Sequence, residues 1–342
     1  MSKENGAPAR PDIGGQAVLD GVMMKSPDAI AVAVRRPDGD IVVKRDSYVS
    51  PAKKHKWMGL PFIRGTVSMV QMLSIGMKTL SDSAKMAGDD AAEEPSKFDK
   101  WLADKLGKNV DKVVMGLAMV LAVCMSVGLF VLLPNLVVLL FPANATGGTL
   151  LAKNLVTGLV RLLLLTAYMY FCGKIPDMRR TFQYHGSEHK TVYCHEHDLP
   201  LTPRNAQQFS TLHPRCGTSF LVLTFILSIL VCTVFDWLLL EIWGIDLGAH
   251  YLWRVLSRIV LLPCIMGVGY ETLKGLAHAD GKLVRALRWP GMQMQRLTTR
   301  PPTDDMCEVA IAAMNAALHG LPEGEKTPEG WVILHPARET QA

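Results

Sequence analysis

Four long apolar stretches between residues 113 and 274 constrain this chain more than anything else in it. Residues 113–141 carry no charge, residues 155–172 carry only Arg161, and residues 217–240 are uncharged apart from Asp236. The fourth, 252–274, is interrupted by Arg254, Arg258 and Glu271. A bilayer core about 30 Å thick is crossed by about 20 helical residues. In lipid the backbone must satisfy its own hydrogen bonds, which a helix does within one segment. The expected fold class is therefore membrane α-helical, with about four transmembrane helices, Pro134 ending or kinking the first. Composition agrees: 49% of residues are hydrophobic and 20% charged, against about 25% charged in soluble domains.

Basic residues give an orientation. Lys and Arg number 18 in residues 1–112, six in 173–216 and seven in 275–342, while the connections 142–154 and 241–251 hold one and none. Positive residues stay on the cytoplasmic side, so both termini and the 173–216 loop are expected there, in a bacterial inner membrane. Arg254 and Arg258 fall towards the outer end, against that rule, and Asp236, Glu241 or Asp246 are the expected partners. The first 30 residues hold no apolar core, so no signal peptide is expected. Clustered basic residues with interleaved aromatics are missing, which excludes nucleic acid as a partner and leaves the lipid bilayer. Self-association is left open.

Around the spans, residues 1–12 are polar and expected to be disordered. Residues 13–86 are expected to form a small N-terminal α+β unit on the cytoplasmic side. Apolar runs at 29–34 and 41–43 bracket Arg35-Arg36-Pro37-Asp38-Gly39-Asp40, which is hairpin chemistry. An amphipathic helix over 60–85 follows. Its 13 uncharged residues between Arg64 and Lys78 are too few to span a bilayer, so it lies on the membrane surface or packs on the β unit. Residues 87–112 read as an acidic linker and juxtamembrane helix, and 113–274 as the four-span domain. Residues 275–318 read as a cytoplasmic helical segment. In it one helix stops at Pro290-Gly291 and a second is capped by Asp305 with Glu308 in a capping box. Residues 319–342 read as a tail.

The densest group of potential ligands is Tyr184-His185-Gly186-Ser187-Glu188-His189-Lys190. On a helix His185 and His189 share one face with Glu188 beside them. Two neutral imidazoles at that spacing can hold a divalent ion such as zinc, with an adjacent carboxylate as general base. The order H-x-x-E-H is the inverzincin pattern, although Gly186 weakens the helix. The plainer alternative is a polar loop with surface histidines. A third ligand is required, and Glu271, at the cytoplasmic end of the fourth span, is one candidate; an interfacial pair with Lys274 or Arg180 is its alternative. His213 and Cys216, just before the third span, form a competing set. Cys194 and His195 are further donors, His195 and His197 reading by themselves as solvated loop residues. Cys216 as a nucleophile with His213 as base lacks an orienting third group. The seven cysteines are odd in number, and several lie in apolar runs, so they are not a disulfide framework. The glycine-rich run at 14–24 reads as a tight turn and short strand, and Asp20 within it is a remote candidate for approach to the metal loop.

Taken together, GGQAVLDGVMM at 14–24, RG at 64–65, YHGSEHK at 184–190, HPRCGTSF at 213–220, GYE at 269–271, PGMQMQRLTTRPP at 290–302 and EVAIAA at 308–313 resemble the YqhQ-like family of bacterial membrane proteins. The resemblance runs from about residue 13 to 318. It implies a metal-dependent activity with no established reaction and no substrate. Asp20 stands where relatives carry Glu, which shortens the reach of that carboxylate.

These readings converge on a membrane-embedded metal-dependent hydrolase. In it His185 and His189 hold a divalent metal, zinc first among the choices, Glu271 or His213 and Cys216 complete the shell, and Glu188 is the base. The alternatives are a non-enzymatic scaffold or assembly factor with a structural zinc site and, third, a transporter or metal carrier, which the lack of duplicated or paired broken spans disfavours.

Overall fold

The computed structural model describes residues 13–87, 110–141, 147–247, 250–277, 279 and 281–336. The expectations for residues 1–12 and for most of the 87–112 linker lie outside these. The chain divides into two compact units: one of residues 1–90, 172–219 and 291–342, the other of 91–171 and 220–290.

The first unit is built on one antiparallel sheet of six strands in the order β1-β2-β3-β4-β6-β5. The strands are β1 Gly14–Val18, β2 Gly21–Lys25, β3 Ala29–Arg35, β4 Ile41–Ser47, β5 Glu325–Lys326 and β6 Val332–Leu334. Because successive strand side chains point to opposite faces, a run such as Ala29–Arg35 serves both. Val22, Met24, Ala31, Ala33 and Val43 face one core, shared with Tyr184 and Val192 and with Met306, Val309, Ala313 and Met314. Val18, Met23, Val32, Val34 and Val42 face the other, shared with Met72, Ile75 and Met86. Burial on both faces is why these strands read as unbroken apolar runs rather than as alternation.

The helices on those faces are α1 Ile63–Ala87 on one side, and α4 Pro176–Glu196 with α8 Asp304–His319 on the other. The amphipathic segment at 63–87 thus packs on the β unit. Two details differ from the sequence reading. The segment read as a tail supplies β5 and β6, with Val42 paired to Ile333. The N-cap of α8 is Thr303, with no side-chain cap bond, and Glu308 pairs instead with Arg35 at 2.8 Å. A half-buried arginine at the end of β3 competes better for that carboxylate than a solvated helix terminus does.

The second unit carries the apolar helices. Four are long and apolar enough to cross a membrane: Gly116–Leu140, Gly148–Cys172, Gly217–Trp243 and Tyr251–Leu276. They belong to α2 Val110–Val127 with its irregular continuation, α3 Gly147–Cys172, α5 Gly217–Trp243 and α6 Tyr251–Ala277. The first widens into a π turn at Gly128–Leu132 and tightens to a 3-10 turn at Val137–Leu140, on either side of Pro134. This is the disturbance expected of a proline without a backbone N–H. A methyl on Gly158 would lie 2.4 Å from Ile229 Cγ1, so a glycine lets α3 and α5 approach closely. The two arginines of α6 find the carboxylate expected of them: Arg258 donates to Asp236 at 2.9 and 2.6 Å. Helix α7 Lys282–Thr298 does not stop at Pro290 but continues through it. Past that point a methyl on Gly291 would meet Ser219 Cα at 2.8 Å, so close packing holds the helix together after the proline.

Candidate metal centre

Helix α4 organises the site. Residues 189, 193 and 196 follow the i, i+4, i+7 spacing of one helix face, and each fastens the next part of the 207–216 loop. His189 Nδ1 is 2.5 Å from the Thr211 carbonyl, and the Tyr193 hydroxyl donates to the Leu212 carbonyl at 3.1 Å. Glu196 accepts from His213 Nε2 at 3.3 Å and from Arg215. Beside this row, Lys190 donates from Nζ to the carbonyls of Gln207 and Phe209 at 2.9 and 2.5 Å. Burial holds the Lys190 ammonium below its ordinary value. For Glu196, burial pushes upward, but His213 and Arg215 together outweigh it and hold the carboxyl low.

The loop ends by carrying Cys216 back to α4. One donor atom from each of His185, His189 and Cys216 lies within 4.8 Å of the other two. His185 Nδ1 is 2.9 Å from the Thr298 carbonyl, and its Nε2 is 3.2 Å from Cys216 Sγ. A carbonyl only accepts, so both histidines must carry their proton on Nδ1. In the neutral imidazole this places the lone pair on Nε2, the form that ligates a metal, with the other nitrogen fixed by an outer partner. Among the described residues His189 Nε2 is buried without a hydrogen-bond partner, 3.4 Å from Glu188 Oε2. An orphaned buried nitrogen beside a second imidazole and a thiol is a donor set suited to zinc.

Glu188 is buried against the sheet. A methyl on Gly15 of β1 would lie 2.6 Å from Glu188 Cγ and 2.8 Å from the Met23 carbonyl oxygen. The glycine is required there because strand and side chain leave no space between them. Gly186 has the same role on α4: a methyl would lie 2.2 Å from the Arg300 carbonyl oxygen. The helix continues through Gly186 despite its low propensity, because residues 298–302 cross over it.

The remaining candidates are not in the three-donor group. His213 uses both ring nitrogens, accepting from the Arg215 N–H at 3.4 Å and donating to Glu196. Its ring centroid is 5.6 Å from that of His189. Asp20, in the β1–β2 turn with φ of 48°, pairs with Arg180. Cys194 packs with Ala206 and Cys307 in a small core of its own, and burial raises its thiol. His195 is half-buried on α4 and outside the three-donor group. Glu271 lies on α6, in the other unit.

Gln295 was not singled out by sequence. Fully buried on α7, it accepts from the His213 N–H at 2.7 Å and donates to the His213 carbonyl at 2.7 Å. It also donates to Ser219 Oγ at 2.7 Å. This clasp fixes the turn that bears Cys216. Its one signal was its place in the run PGMQMQRLTTRPP at 290–302.

The family model described as "Protein of unknown function (DUF1385)" matches residues 60–320. The "Uncharacterized protein YqhQ" of Bacillus subtilis (strain 168) is 33% identical over 342 residues, covering 97% of this chain and 100% of that protein. No solved structure matches.

Proposed function

The chain belongs to the DUF1385 family, and from the geometry of its centre we propose that it is a membrane-embedded metal-dependent hydrolase. His185 Nε2, His189 Nε2 and Cys216 Sγ hold a divalent ion, zinc first among the choices. The observation that carries this reading is the pair of Nδ1–H groups committed to backbone carbonyls, which leaves two Nε2 lone pairs beside a thiol. Three protein ligands are the usual number at a catalytic zinc, whose fourth position stays open. An ion there would supply Lewis acidity and a water of lowered pKa. Glu188 is the chain's proton acceptor at that place, held by its packing on Gly15. Thr211 and Thr298 fix the ring orientations, and Gln295 positions the Cys216 turn.

The excess of Lys and Arg on residues 1–112, 173–216 and 275–342 supports a cytoplasmic location for both termini and the centre, with the four spans in a bacterial inner membrane.

A second reading follows from the 3.4 Å between Glu188 Oε2 and His189 Nε2. As a fourth ligand, Glu188 would close the shell and make the site structural, in a scaffold or assembly factor. Elemental analysis of detergent-purified protein separates the readings. We expect about one equivalent of metal in wild type and none in His185→Ala/His189→Ala. Glu188→Gln should keep the metal and lose turnover against a panel of ester, peptide and phosphoester probes. Loss of metal in Glu188→Gln favours the structural reading. No metal in protein purified without chelators, and no uptake on reconstitution, overturns both.

A further inference from the structure

Among its described residues the membrane unit buries three cations against one carboxylate. Lys153, Arg254 and Arg258 are 1%, 0% and 5% exposed, and Asp236, at 2%, is the one buried carboxylate among the described residues of this unit. Asp236 is already saturated. Its Oδ1 accepts from Arg258 Nη1 at 2.9 Å, and its Oδ2 from Arg258 Nη2 at 2.6 Å and Asn154 Nδ2 at 2.9 Å. Arg254 reaches Asp236 only at 3.5 Å. It is met instead by the amide oxygens of Asn135 and Asn154, at 3.2 and 2.8 Å.

Lys153 precedes Asn154 on α3, and among the described residues its Nζ has no hydrogen-bond partner. Leu150, Lys153, Asn154 and Thr157 are all buried, so this stretch of α3 faces protein on more than one side. Even with Asp246, half-buried in the α5–α6 connection, counted against Arg254, Lys153 keeps an uncompensated charge. A buried ammonium without a partner is among the least favourable arrangements in a bilayer-spanning protein, and such residues mark functional sites.

We propose that the membrane unit binds a phosphate-type oxyanion at Lys153, beside the Asn154–Asp236–Arg254–Arg258 network. Its several acceptor oxygens suit the three N–H donors of the ammonium, and its charge offsets the cation excess. Lys153 lies six residues inside the start of α3, about 9 Å along the axis. The 26-residue helix is about 39 Å long, so it overhangs a 30 Å core by about 4–5 Å at each end. For an upright helix centred on the bilayer, Lys153 would lie about 5 Å below the edge of the hydrocarbon, within side-chain reach of headgroup depth. The oxyanion is either free phosphate or the phosphodiester of an anionic lipid, and depth alone does not separate the two.

The test uses the full chain in nanodiscs. In phosphatidylcholine discs, inorganic phosphate is compared with chloride at equal ionic strength. Separately, phosphatidylglycerol replaces part of the lipid. We expect one of these to raise the unfolding midpoint of wild type, with probe affinity falling at least tenfold in Lys153→Met and recovering in Lys153→Arg. A shift with phosphate assigns a free anion, and a shift with phosphatidylglycerol alone assigns a lipid headgroup. No shift of wild type in either arm overturns the site, whether or not Lys153→Met assembles. An equal shift in wild type and Lys153→Met overturns it as well.

Discussion

Replacing Gln295 by methionine removes three polar contacts while nearly keeping the volume. The loss leaves the His213 N–H and carbonyl without their amide partner in a buried place; the carbonyl retains only a 3.4 Å bond from the Cys216 N–H. Each buried backbone group left unpaired costs about 1–3 kcal/mol. The Ser219 hydroxyl can turn to another acceptor and adds little. Against this, methionine is easier to desolvate than glutamine, by about 1 kcal/mol. The balance is a destabilisation of about 3 kcal/mol. Its consequence is local, because the freed turn carries Cys216. Chemical unfolding of the full-length protein in detergent should show the loss, and iodoacetamide should label Cys216 faster than in wild type. A Gln295→Met protein within about 0.5 kcal/mol of wild type, with unchanged labelling, would refute the clasp as the support of that turn.

Two further predictions concern the same site. Gly15→Ala forces a methyl against Glu188 Cγ and the Met23 carbonyl oxygen. Only the side chain can yield, so we expect about 1–3 kcal/mol of destabilisation, and loss of turnover with metal content unchanged, measured side by side. Glu196 supplies a pH dependence. Its folded pKa lies below the ordinary 4.5, so its contribution is present above that value and is lost as pH falls through the folded one. The stability difference between wild type and Glu196→Gln, followed by denaturant titration, should therefore close as the pH falls below the ordinary value of 4.5; a difference that grows on acidification would contradict the assignment.

The four long apolar helices were legible because a bilayer demands long uncharged helices. The pairing of Arg258 with Asp236 was legible because charges in such helices need partners. His185, Glu188 and His189 could be read as one face from spacing alone. The features that orient them could not. Thr211 and Thr298 act through backbone carbonyls, which leave no mark on residue type, and they lie 22 and 113 residues from their histidines. Strands β5 and β6 are two and three residues long, too short for a periodic signal, and exist because β4 offers an edge. Helix α7 outlasts Pro290 through contact with Ser219, a residue far away in sequence.

Gly186 sets two effects of known size against each other. In an exposed helix, glycine to alanine gains about 1 kcal/mol from propensity, and by that reasoning Gly186→Ala should stabilise α4. The structure opposes it: the methyl would sit 2.2 Å from the Arg300 carbonyl oxygen, and a main-chain atom cannot rotate away as a side chain does. Residues 298–302 would have to move. They are held to α4 by the Arg300 N–H on the Phe182 carbonyl at 2.9 Å and by His185 Nδ1 on Thr298. Overpacking costs about 1–3 kcal/mol, and a lost buried hydrogen bond adds about 1 kcal/mol. The clash wins, and Gly186→Ala should lower stability by about 1–3 kcal/mol net. The same movement releases His185 from the tautomer that exposes Nε2, so nitrogen-15 spectra of the imidazole should lose the single Nδ1–H form. A Gly186→Ala protein that is more stable than wild type, with His185 still in that form, would show that residues 298–302 do not hold the ring.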